Sequence, residues 1–340
     1  MACRGRFQVP LCISKTGVWN GETETFLLGL HRIRLEVQIQ SVAWVPLIDG
    51  PIINVEGGQF NEPGKSMLTL VVSDDSFYLH RDETVKSFQN SDDQVAQQIY
   101  KEVSQIATTD IDEAQAPSNP AFDTTVLRGT QMELLRQLAR RQHMHAYVRC
   151  GDSPGESVGC FKADLSPTED SGLAPMILLG DGQNIFSFNS QKHAGQTATF
   201  RSGWVKLKDR STDNRNSNLS DLTLQGSDPT TDSPVKRLLR ARQVEAMTLN
   251  RALQAETERA AYALKATGEV MKGVYTSVLQ PYRNVQVLGA NGTLSGTWLI
   301  KQVTHSLTRN HYGQSFHVIR NAQSAGTNNP PEQKPAEVFG

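Results

Sequence analysis

Alternating hydrophobic and polar positions over residues 33–45 predict a half-buried β-strand. The aliphatic residues at every second position from Ile33 to Ile39 share one face, and charged or polar residues occupy the other. Alternation of this kind is typical of a strand that packs one face on a core. After Ser41 the apolar positions change parity, which predicts a bulge or a corner between barrel walls. Residues 67–72 predict a second, more fully apolar strand, so this part of the chain is expected to be antiparallel β structure.

The middle of the chain changes to helical spacing. Ser91 and Gln94 match a capping box, and the apolar stripe behind them predicts an amphipathic helix over residues 92–107. Thr130 and Glu133 repeat the capping box and open a second predicted helix. The buried stripe of that helix is predicted to contain Leu134, Leu135 and Leu138.

The second half of the chain begins with a long polar segment. Residues 208–233 are almost entirely polar and predict a mobile loop or linker. Pro234 follows a serine, a pattern typical of a helix start, and predicts a long surface helix that ends near Lys265. Residues 274–320 then predict a meander of β-hairpins.

Length and charge limit the possible classes of function. The 340 residues suggest two or three domains, at about 150 residues per domain. Thirty-four basic and 35 acidic residues leave a net charge of −1, so no overall field favours nucleic acid or an anionic membrane. Uncharged apolar runs such as residues 41–48 are far shorter than the roughly 20 residues that span a bilayer. Polar residues interrupt the apolar stretch near the N-terminus, unlike a secretory signal. We expect a soluble protein made in the cytoplasm.

The four cysteines do not form a zinc signature. Cys3, Cys12, Cys150 and Cys160 contain no pair at C-x-x-C spacing. Cys150 and Cys160 are placed to form a disulfide across a hairpin, but the cysteine content is ordinary and cytosolic thiols stay reduced, which favours buried free thiols.

Candidate catalytic and metal-binding motifs have simpler explanations. Residues 151–155 match the letters of a G-x-S-x-G nucleophile elbow, but Pro154 lacks the backbone N–H that the oxyanion requires. His143 and His145 lie two apart on a strand predicted over residues 143–148 and are compatible with a shared metal. A third ligand is not visible in the sequence nearby, which favours a hydrogen-bonded pair. P-loop, dinucleotide-binding and zinc-protease motifs are absent from the sequence.

Two pairs of neighbouring acids and one basic cluster also invite functional hypotheses. The pairs at residues 74–75 and 92–93 are of the kind used in acid–base catalysis, but turn and cap roles explain both. The basic cluster opens the predicted long helix and is compatible with an acidic partner, although a solvated face is the simpler explanation. Its members are Lys236, Arg237, Arg240 and Arg242.

Three blocks of the chain resemble the phage baseplate hub family, also called late control protein D. Residues 73–83 (SDDSFYLHRDE) resemble the family's "DDS…L.R" segment, and residues 127–141 (LRGTQMELLRQLARR) resemble its "R-x-T-D-x-x-F-L-x-R-L-A" helix. Residues 285–320 are similar to its final hairpins, "V.V.G…LSG.Y.V..V.H", followed by Y, F and R. Gln131 departs from an acid usual in the family, and residues 206–268 are longer than the usual linker.

The resemblance implies a mainly β fold with α-helices (α+β): two antiparallel, tube-like β-barrel domains with helical insertions, assembled as a trimeric ring. The predicted parts are a first β-barrel domain (1–88), a mixed helical insert (89–145), a second β-barrel domain (146–205 plus 272–322), a polar linker with the long helix (206–271) and a flexible tail (323–340).

The resemblance also implies a structural role in a contractile tail of a phage, a tailocin or a related injection system. The homotrimer would adapt the sixfold tail tube to a threefold central spike, which is a separate protein. The implied partners are the tail tube or tube-initiator protein, the spike protein, baseplate wedge proteins and a tape measure protein in the lumen. The genome would pass through the channel without sequence-specific binding. The expected location is the tail baseplate of the virion.

The matched motif positions are expected to be structural, with no catalytic, cofactor-binding or metal-ligating residue among them. Under the resemblance, Trp298, Phe316 and Tyr312 belong to a barrel core, and glycines allow tight turns. Arg128 or Arg320 is expected to be held by carboxylates. The complete set is Ser76, Leu79, Arg81, Asp82, Arg128, Thr130, Leu135, Leu138, Gly289, Gly296, Trp298, His305, Tyr312, Phe316 and Arg320.

Two other classes of function compete with the hub. A tail-associated cell-wall or polysaccharide hydrolase needs two carboxylates across a cleft. A receptor-binding module would be expected to cluster exposed aromatic residues on loops, but only 7% of the residues are aromatic. We therefore predict a protein that is not an enzyme.

Overall fold

A computed structural model describes residues 3–20, 30–39, 43–62, 64–114, 125–205, 212–231, 233–239 and 246–323. The chain forms two compact units, the first ending at Ala163 and the second beginning at Asp164. It is mainly β with a few helices, and its sheets are curled half-barrels, as the sequence predicted. Within the described ranges, no helix is both long and apolar enough to cross a membrane.

The first unit combines a four-stranded antiparallel sheet with a layer of helices and further strands. The sheet has the order β1-β4-β3-β2, and its small apolar core lies between β3 and β4. The elements are β1 (Arg4–Pro10), β2 (Arg32–Val37), β3 (Val45–Gly58), β4 (Met67–Ser73), α1 (Ser76–Arg81), β5 (Glu83–Phe88), α2 (Asp92–Lys101), β6 (Ile106–Ile111), β7 (Thr125–Thr130), α3 (Gln131–Gln142), β8 (Met144–Cys150) and β9 (Ser157–Ala163).

The strand predicted over residues 33–45 is instead a hairpin. Strand β2 ends at Val37, β3 begins at Val45, and the two pair antiparallel. The predicted change of parity after Ser41 lies at residues outside the described ranges. A register shift occurs earlier, between Leu35 and Glu36. Alternation alone did not locate the turn, because the prediction extended the pattern of β2 up to Val45, where β3 begins.

Only one of the two predicted capping boxes forms. At α3, the Thr130 side chain accepts from the backbone N–H of Glu133, and the Glu133 carboxylate accepts from the backbone N–H of Thr130. At α2, Ser91 is the N-cap residue but makes no side-chain capping hydrogen bond. Helix α2 ends at Lys101, six residues before the predicted end, because the chain turns into β6 at Ile106.

The second unit contains a six-stranded sheet and a smaller three-stranded sheet that packs against a helix. The six-stranded sheet has the order β10-β16-β17-β18-β15-β11, and the smaller one β13-β12-β14. The elements are β10 (Met176–Ile177), β11 (Ile185–Lys192), β12 (Ala198–Val205), β13 (Thr212–Asn216), β14 (Val235–Leu238), α4 (Ala246–Ala261), β15 (Leu264–Val270), β16 (Asn284–Leu288), β17 (Gly296–Thr308) and β18 (His311–Arg320).

One buried asparagine lies between β10 and β11, the two outermost strands of the six-stranded sheet. The Asn184 backbone N–H donates to the Ile177 carbonyl at 2.9 Å, and its side-chain oxygen accepts from the Ile177 N–H at 2.8 Å. Its side-chain amide donates to the Pro175 carbonyl, and its own carbonyl accepts from the Met271 N–H at 2.7 Å. Asn184 therefore connects Ile177 of β10 with Met271, the residue after β15.

The predicted long helix from Pro234 to Lys265 is wrong at both ends. Residues Val235–Leu238 form strand β14, α4 covers only Ala246–Ala261, and Leu264 already begins strand β15. Residues 240–245 lie outside the described ranges. Strand β14 pairs in parallel with β12, and this non-local pairing overrides a local pattern that favoured a helix.

The polar segment predicted as a mobile linker is anchored to the end of the six-stranded sheet at particular residues. Gln225 and Thr230 are buried, and the Asn321 side chain accepts from the Gln225 backbone N–H and donates to the Thr223 carbonyl. Polar composition predicted solvent exposure, but hydrogen bonds to the end of β18 hold this segment instead.

The boundary of the two units also differs from the predicted domains. Residues 146–163 were assigned to the second barrel, but β8 and β9 pair with β6 in the first unit. Strand β15, predicted within a linker, joins the six-stranded sheet. Residues 324–340 of the predicted flexible tail lie outside the described ranges. A contiguous run of strand patterns does not reveal which sheet each strand enters.

Candidate assembly site

The first family motif lies beside a buried cluster of charges. Arg32 donates to both oxygens of Asp75 at 2.8 and 3.0 Å, and its guanidinium also contacts Asp49. Arg34 contacts Asp49 at 3.1 Å and donates to the carbonyls of the β8–β9 turn. Asp49 and Asp75 are 1% and 0% exposed. We name Arg32, Arg34, Asp49 and Asp75 the ion cluster; it ties the four-stranded sheet to α1 and to the turn after β8.

A third buried carboxylate, Asp74, lies next to the ion cluster. Its side chain accepts from the backbone N–H groups of Cys3 and Ser76 and from the Ser76 hydroxyl. Burial raises the pKa of Asp74 to about 6, although these hydrogen bonds act in the opposite direction. The turn role predicted for this pair applies to Asp74, whereas Asp75 is the N-cap residue of α1, makes no side-chain capping hydrogen bond and is held by an ion pair with Arg32.

The other residues of the first motif divide between core and surface. Ser76 and Leu79 are buried, and Leu79 packs in the core of the helical layer. Arg81 and Asp82 are exposed and lie 3.9 Å apart, a surface ion pair that contributes little to stability.

The second family motif builds the helical layer of the first unit. Leu135 and Leu138 of α3 are buried in its core, as is Leu134. At the far end of α3, Arg141 forms an ion pair with the buried Asp92, which also accepts from Gln142 at 2.8 Å. Arg128 is exposed on β7. The arginine of this block that meets a buried acid is therefore Arg141.

The third family motif forms the core of the six-stranded sheet. Trp298 is fully buried, and Phe188 stacks edge-on against it at 5.3 Å between ring centroids. Phe316 is buried in the same core. Arg320 lies over the Trp298 ring at 5.8 Å.

Arg320 is held by backbone carbonyls. It is 0% exposed and donates to the carbonyls of Thr293, Ser295 and Gln225. Burial lowers its pKa to about 10. These contacts bring loops from distant parts of the chain to the end of β18.

Two glycines and a histidine–tyrosine pair complete this motif. Gly289 and Gly296 have φ of 70° and 126°, which a residue with a Cβ rarely adopts. His305 Nδ1 lies 2.9 Å from the Tyr312 hydroxyl, and the two rings are parallel. Tyr312 is only half-buried, so it lies at the margin of the core. Burial lowers the pKa of His305 to about 4.

The residues considered as a nucleophile elbow or as a metal-binding histidine pair lie in a turn, a helix cap and a strand. The residues of the G-x-S-x-G match form the β8–β9 turn, in which carbonyls accept from Arg34 and the Gly155 N–H donates to Asp49. His143 is the C-cap of α3 with φ of 53°, whereas His145 lies on β8. Among the described residues, no group of three metal-ligating side chains occurs.

Cys150 and Cys160, the pair considered as a possible disulfide, do not face each other across the hairpin. All four cysteines are free thiols, but of the buried free thiols favoured from the sequence only Cys160 is buried. Across the β8–β9 hairpin, Cys150 is paired with Ser157 and Cys160 with Tyr147. Cys160 is buried, and its sulfur lies near the Val158 carbonyl.

The ion cluster of the first unit was not predicted from the sequence. Arg34 lies on the face of β2 predicted to be polar, yet its side chain is only 11% exposed. Asp49, its partner, was not singled out. A possible signal was the alternation of arginines with aliphatic residues in β2, but charged strand positions usually mark a solvated face.

The clearest exposed apolar surface is the two-stranded ribbon of β5 and β7. Val85 is 72% exposed and Val126 53%. Val126 pairs with Ser87, two residues from Val85, so the two valines lie on the same face of the ribbon. Among the described residues, neither long edge of the ribbon pairs with a third strand. Open edges and exposed aliphatic side chains are typical of surfaces that another chain covers.

No protein-family model matches the chain, and no curated protein matches it in sequence. Solved structures do match. The 43 kDa tail protein of prophage MuSo2 from Shewanella oneidensis aligns with a TM-score of 0.61 and 14% identity, over 94% of this chain and 91% of that one. The chain has the fold of a tail protein. A tail protein from Neisseria meningitidis MC58 aligns at 0.53 and 13% identity, over 95% and 93% of the two chains.

The same fold occurs in a secretion-system protein. The E. coli c3393 protein, a type VI secretion component described as structurally similar to the T4 bacteriophage tail proteins gp27 and gp5, aligns with a TM-score of 0.52 and 12% identity. The alignment covers 97% of this chain and 76% of that protein. The tail-like fold thus extends over both units.

Proposed function

We propose that this chain is the baseplate hub protein of a contractile tail, a homotrimer that adapts the sixfold tail tube to the threefold central spike. The main support is the fold similarity to tail proteins over more than nine tenths of both chains. The three motif blocks shared with the late control protein D family support the same assignment. Each chain has one curled sheet in each unit, so three copies would present six similar sheets around a ring.

The contacts between copies are assigned to the β5–β7 ribbon. Its exposed valines and open edges would be covered when copies assemble, and burying them would remove apolar surface from water. The tail tube, the wedge proteins and the tape measure protein would meet other surfaces of the assembled ring.

The oligomeric state provides the direct test. Light scattering after gel filtration is expected to give three times the 37.5 kDa chain mass for the chain alone, and a candidate spike protein is expected to add its own mass to that of the trimer. Val85→Asp is expected to shift this mass toward that of a single chain. Phe186→Asp, at a residue 75% exposed in the second unit, is the control and should leave the mass unchanged.

A single-chain mass both without and with the spike protein would contradict the hub. Equal effects of the two substitutions would contradict the assigned contact. Clearing of cell-wall substrate in a zymogram, abolished by one Asp or Glu substitution, would instead support a hydrolase.

A further inference from the structure

Two members of the basic cluster, Lys236 and Arg237, lie on an open edge of the three-stranded sheet. Their strand, β14, pairs in parallel with β12, and among the described residues no other strand pairs with it. The Val235 N–H donates to the Thr197 carbonyl at 3.0 Å, so Val235 is directed toward β12. Because backbone groups alternate sides along a strand, Lys236 and Leu238 direct their N–H and carbonyl groups away from β12.

Strand β14 is fixed in an extended conformation by the rest of the second unit. The Leu239 N–H donates to the Arg201 carbonyl at 2.8 Å, and the Arg237 side chain donates to the Gly195 carbonyl at 3.0 Å. Before the strand, the Thr230 side chain is buried and hydrogen-bonds with that of the threonine preceding β12. A segment that pairs with β14 therefore meets an edge that is already ordered, which lowers the cost of binding.

All four side chains of β14 are exposed, and three cations lie at this edge. In chain order the side chains are apolar, basic, basic and apolar, with Val235 42% and Leu238 81% exposed. Arg201 of β12 is also exposed; it pairs with Leu238 and so lies on the same face of the sheet as Lys236. Among the described residues, no carboxylate forms an ion pair with Lys236, Arg237 or Arg201. Charge complementarity therefore favours an acidic partner at this edge.

We propose that the open edge of β14 binds an extended acidic segment of another protein, which joins the three-stranded sheet as a fourth strand. The backbone of this segment would pair with the outward N–H and carbonyl groups of Lys236 and Leu238. Its side chains would be apolar, acidic, acidic and apolar in order, so that one acid lies opposite Lys236 and the other opposite Arg237. This order is the same in both directions, so it fits a parallel and an antiparallel segment equally.

A nucleic acid fits this edge less well than a peptide. Lys236 and Arg201 lie on one face of the sheet and Arg237 on the other, so the cations do not follow one continuous track of phosphates. The outward carbonyl groups and the two exposed aliphatic side chains match a neighbouring strand but would not bind phosphate. This docking goes beyond the hub role and does not depend on trimer formation.

The test measures the binding of labelled peptides to the purified full chain by fluorescence anisotropy. The acidic probe has the sequence TVEEVT, with fluorescein at its N-terminus and an amidated C-terminus, and TVKKVT is its charge-reversed counterpart. We expect the acidic peptide to bind and the basic peptide not to bind. Two further versions of the acidic peptide are N-methylated at alternate residues, one in each phase. One of them is expected to lose binding, because its methyl groups replace the N–H groups that face β14.

Reversing the charges on the protein should reverse its preference. Lys236→Glu combined with Arg237→Glu is expected to weaken the binding of TVEEVT by about tenfold and to permit the binding of TVKKVT. The control combines Lys272→Glu with Arg283→Glu, which makes the same change of net charge at two exposed residues elsewhere in the second unit. This control should bind TVEEVT as tightly as the wild type does.

Hydrogen exchange of the wild-type chain gives a measurement that needs no variant. With TVEEVT bound, the amides of Lys236 and Leu238 are expected to exchange more slowly than in the free chain. Absence of TVEEVT binding, equal binding of TVEEVT and TVKKVT, or equal losses in the two double variants would overturn the proposal. Unchanged binding of both N-methylated peptides would do the same. Displacement of TVEEVT by an oligothymidylate of equal charge would assign the cluster to nucleic acid instead.

Discussion

The four-stranded sheet of the first unit and the six-stranded sheet of the second are stabilised in different ways. Among the described residues, thirteen are buried in the core of the six-stranded sheet, but only four in that of the four-stranded sheet. The four-stranded sheet is instead tied to its surroundings by the ion cluster. A thin sheet has little apolar surface to bury, so directional charged contacts decide which neighbours it joins. Single charges should therefore matter most in the four-stranded sheet and single apolar side chains in the six-stranded sheet.

The largest expected effect is the loss of the central side chain of the second unit. Trp298→Ala is expected to destabilise this unit by about 4 kcal/mol, because a fully buried ring leaves a cavity beside Phe188. Hydrogen exchange of peptides from β16 to β18 measures the change. Leu307→Ala, on the same strand at 42% exposure, is the control and should change stability by less than about 0.5 kcal/mol. Equal losses would mean that the core does not dominate this unit.

The next largest effect is expected in the ion cluster. Asp75→Asn is expected to destabilise the first unit by about 3 kcal/mol, because Arg32 loses the charge of its buried partner and one of the two hydrogen bonds to it. Denaturant unfolding combined with hydrogen exchange of β2 and α1 checks this. Asp82→Asn is the control, since Asp82 is 84% exposed, and it should have no measurable effect. An Asp75→Asn variant as stable as the wild type would contradict the proposed difference between the two sheets.

Lowering the pH is expected to stabilise the first unit and to destabilise the second. Asp74 has a folded pKa of about 6, above its ordinary 3.8, so its contribution is complete below pH 3.8 and is lost as the pH rises through 6. His305 has a folded pKa of about 4, below its ordinary 6.5, so its contribution is complete above pH 6.5 and is lost as the pH falls through 4. Both changes follow from burial of a titratable group.

Hydrogen exchange at pH 6.5 and pH 4.5, corrected for intrinsic rates, measures the two units separately. Exchange around α1 should slow on acidification, and exchange in β17 and β18 should accelerate. Asp74→Asn should abolish the first change and His305→Gln the second. The same direction of change in both units would contradict the assignment of these two groups.

The smallest expected effect distinguishes two helix starts that look alike in sequence. Thr130→Ala is expected to cost about 1 kcal/mol, because it removes the capping hydrogen bond from the Glu133 N–H. Ser91→Ala should be nearly neutral, because the Ser91 side chain makes no capping bond. Thermal unfolding of the two variants measures the difference. Equal losses would mean that both boxes form in solution.

Much of the secondary structure of the first unit was predictable from local patterns. The strand over residues 67–72, the start of α2 and the helix after Thr130 were all confirmed, because burial of one face imposes a period of two or 3.6. The helix predicted from Pro234 was wrong because β14 pairs with β12, some 37 positions earlier in the register. Such non-local pairing leaves no periodic signal.

The sequence by itself determined the mainly β class and the capping box at Thr130. These features depend on neighbours within a few residues, so a single chain displays them directly. Only the tertiary structure decided that Arg32 meets Asp75, 43 residues away, and that β14 pairs with β12. The physical reason is that ion pairs and strand pairings join segments distant in sequence, and many pairings of the same residue types satisfy the same local pattern.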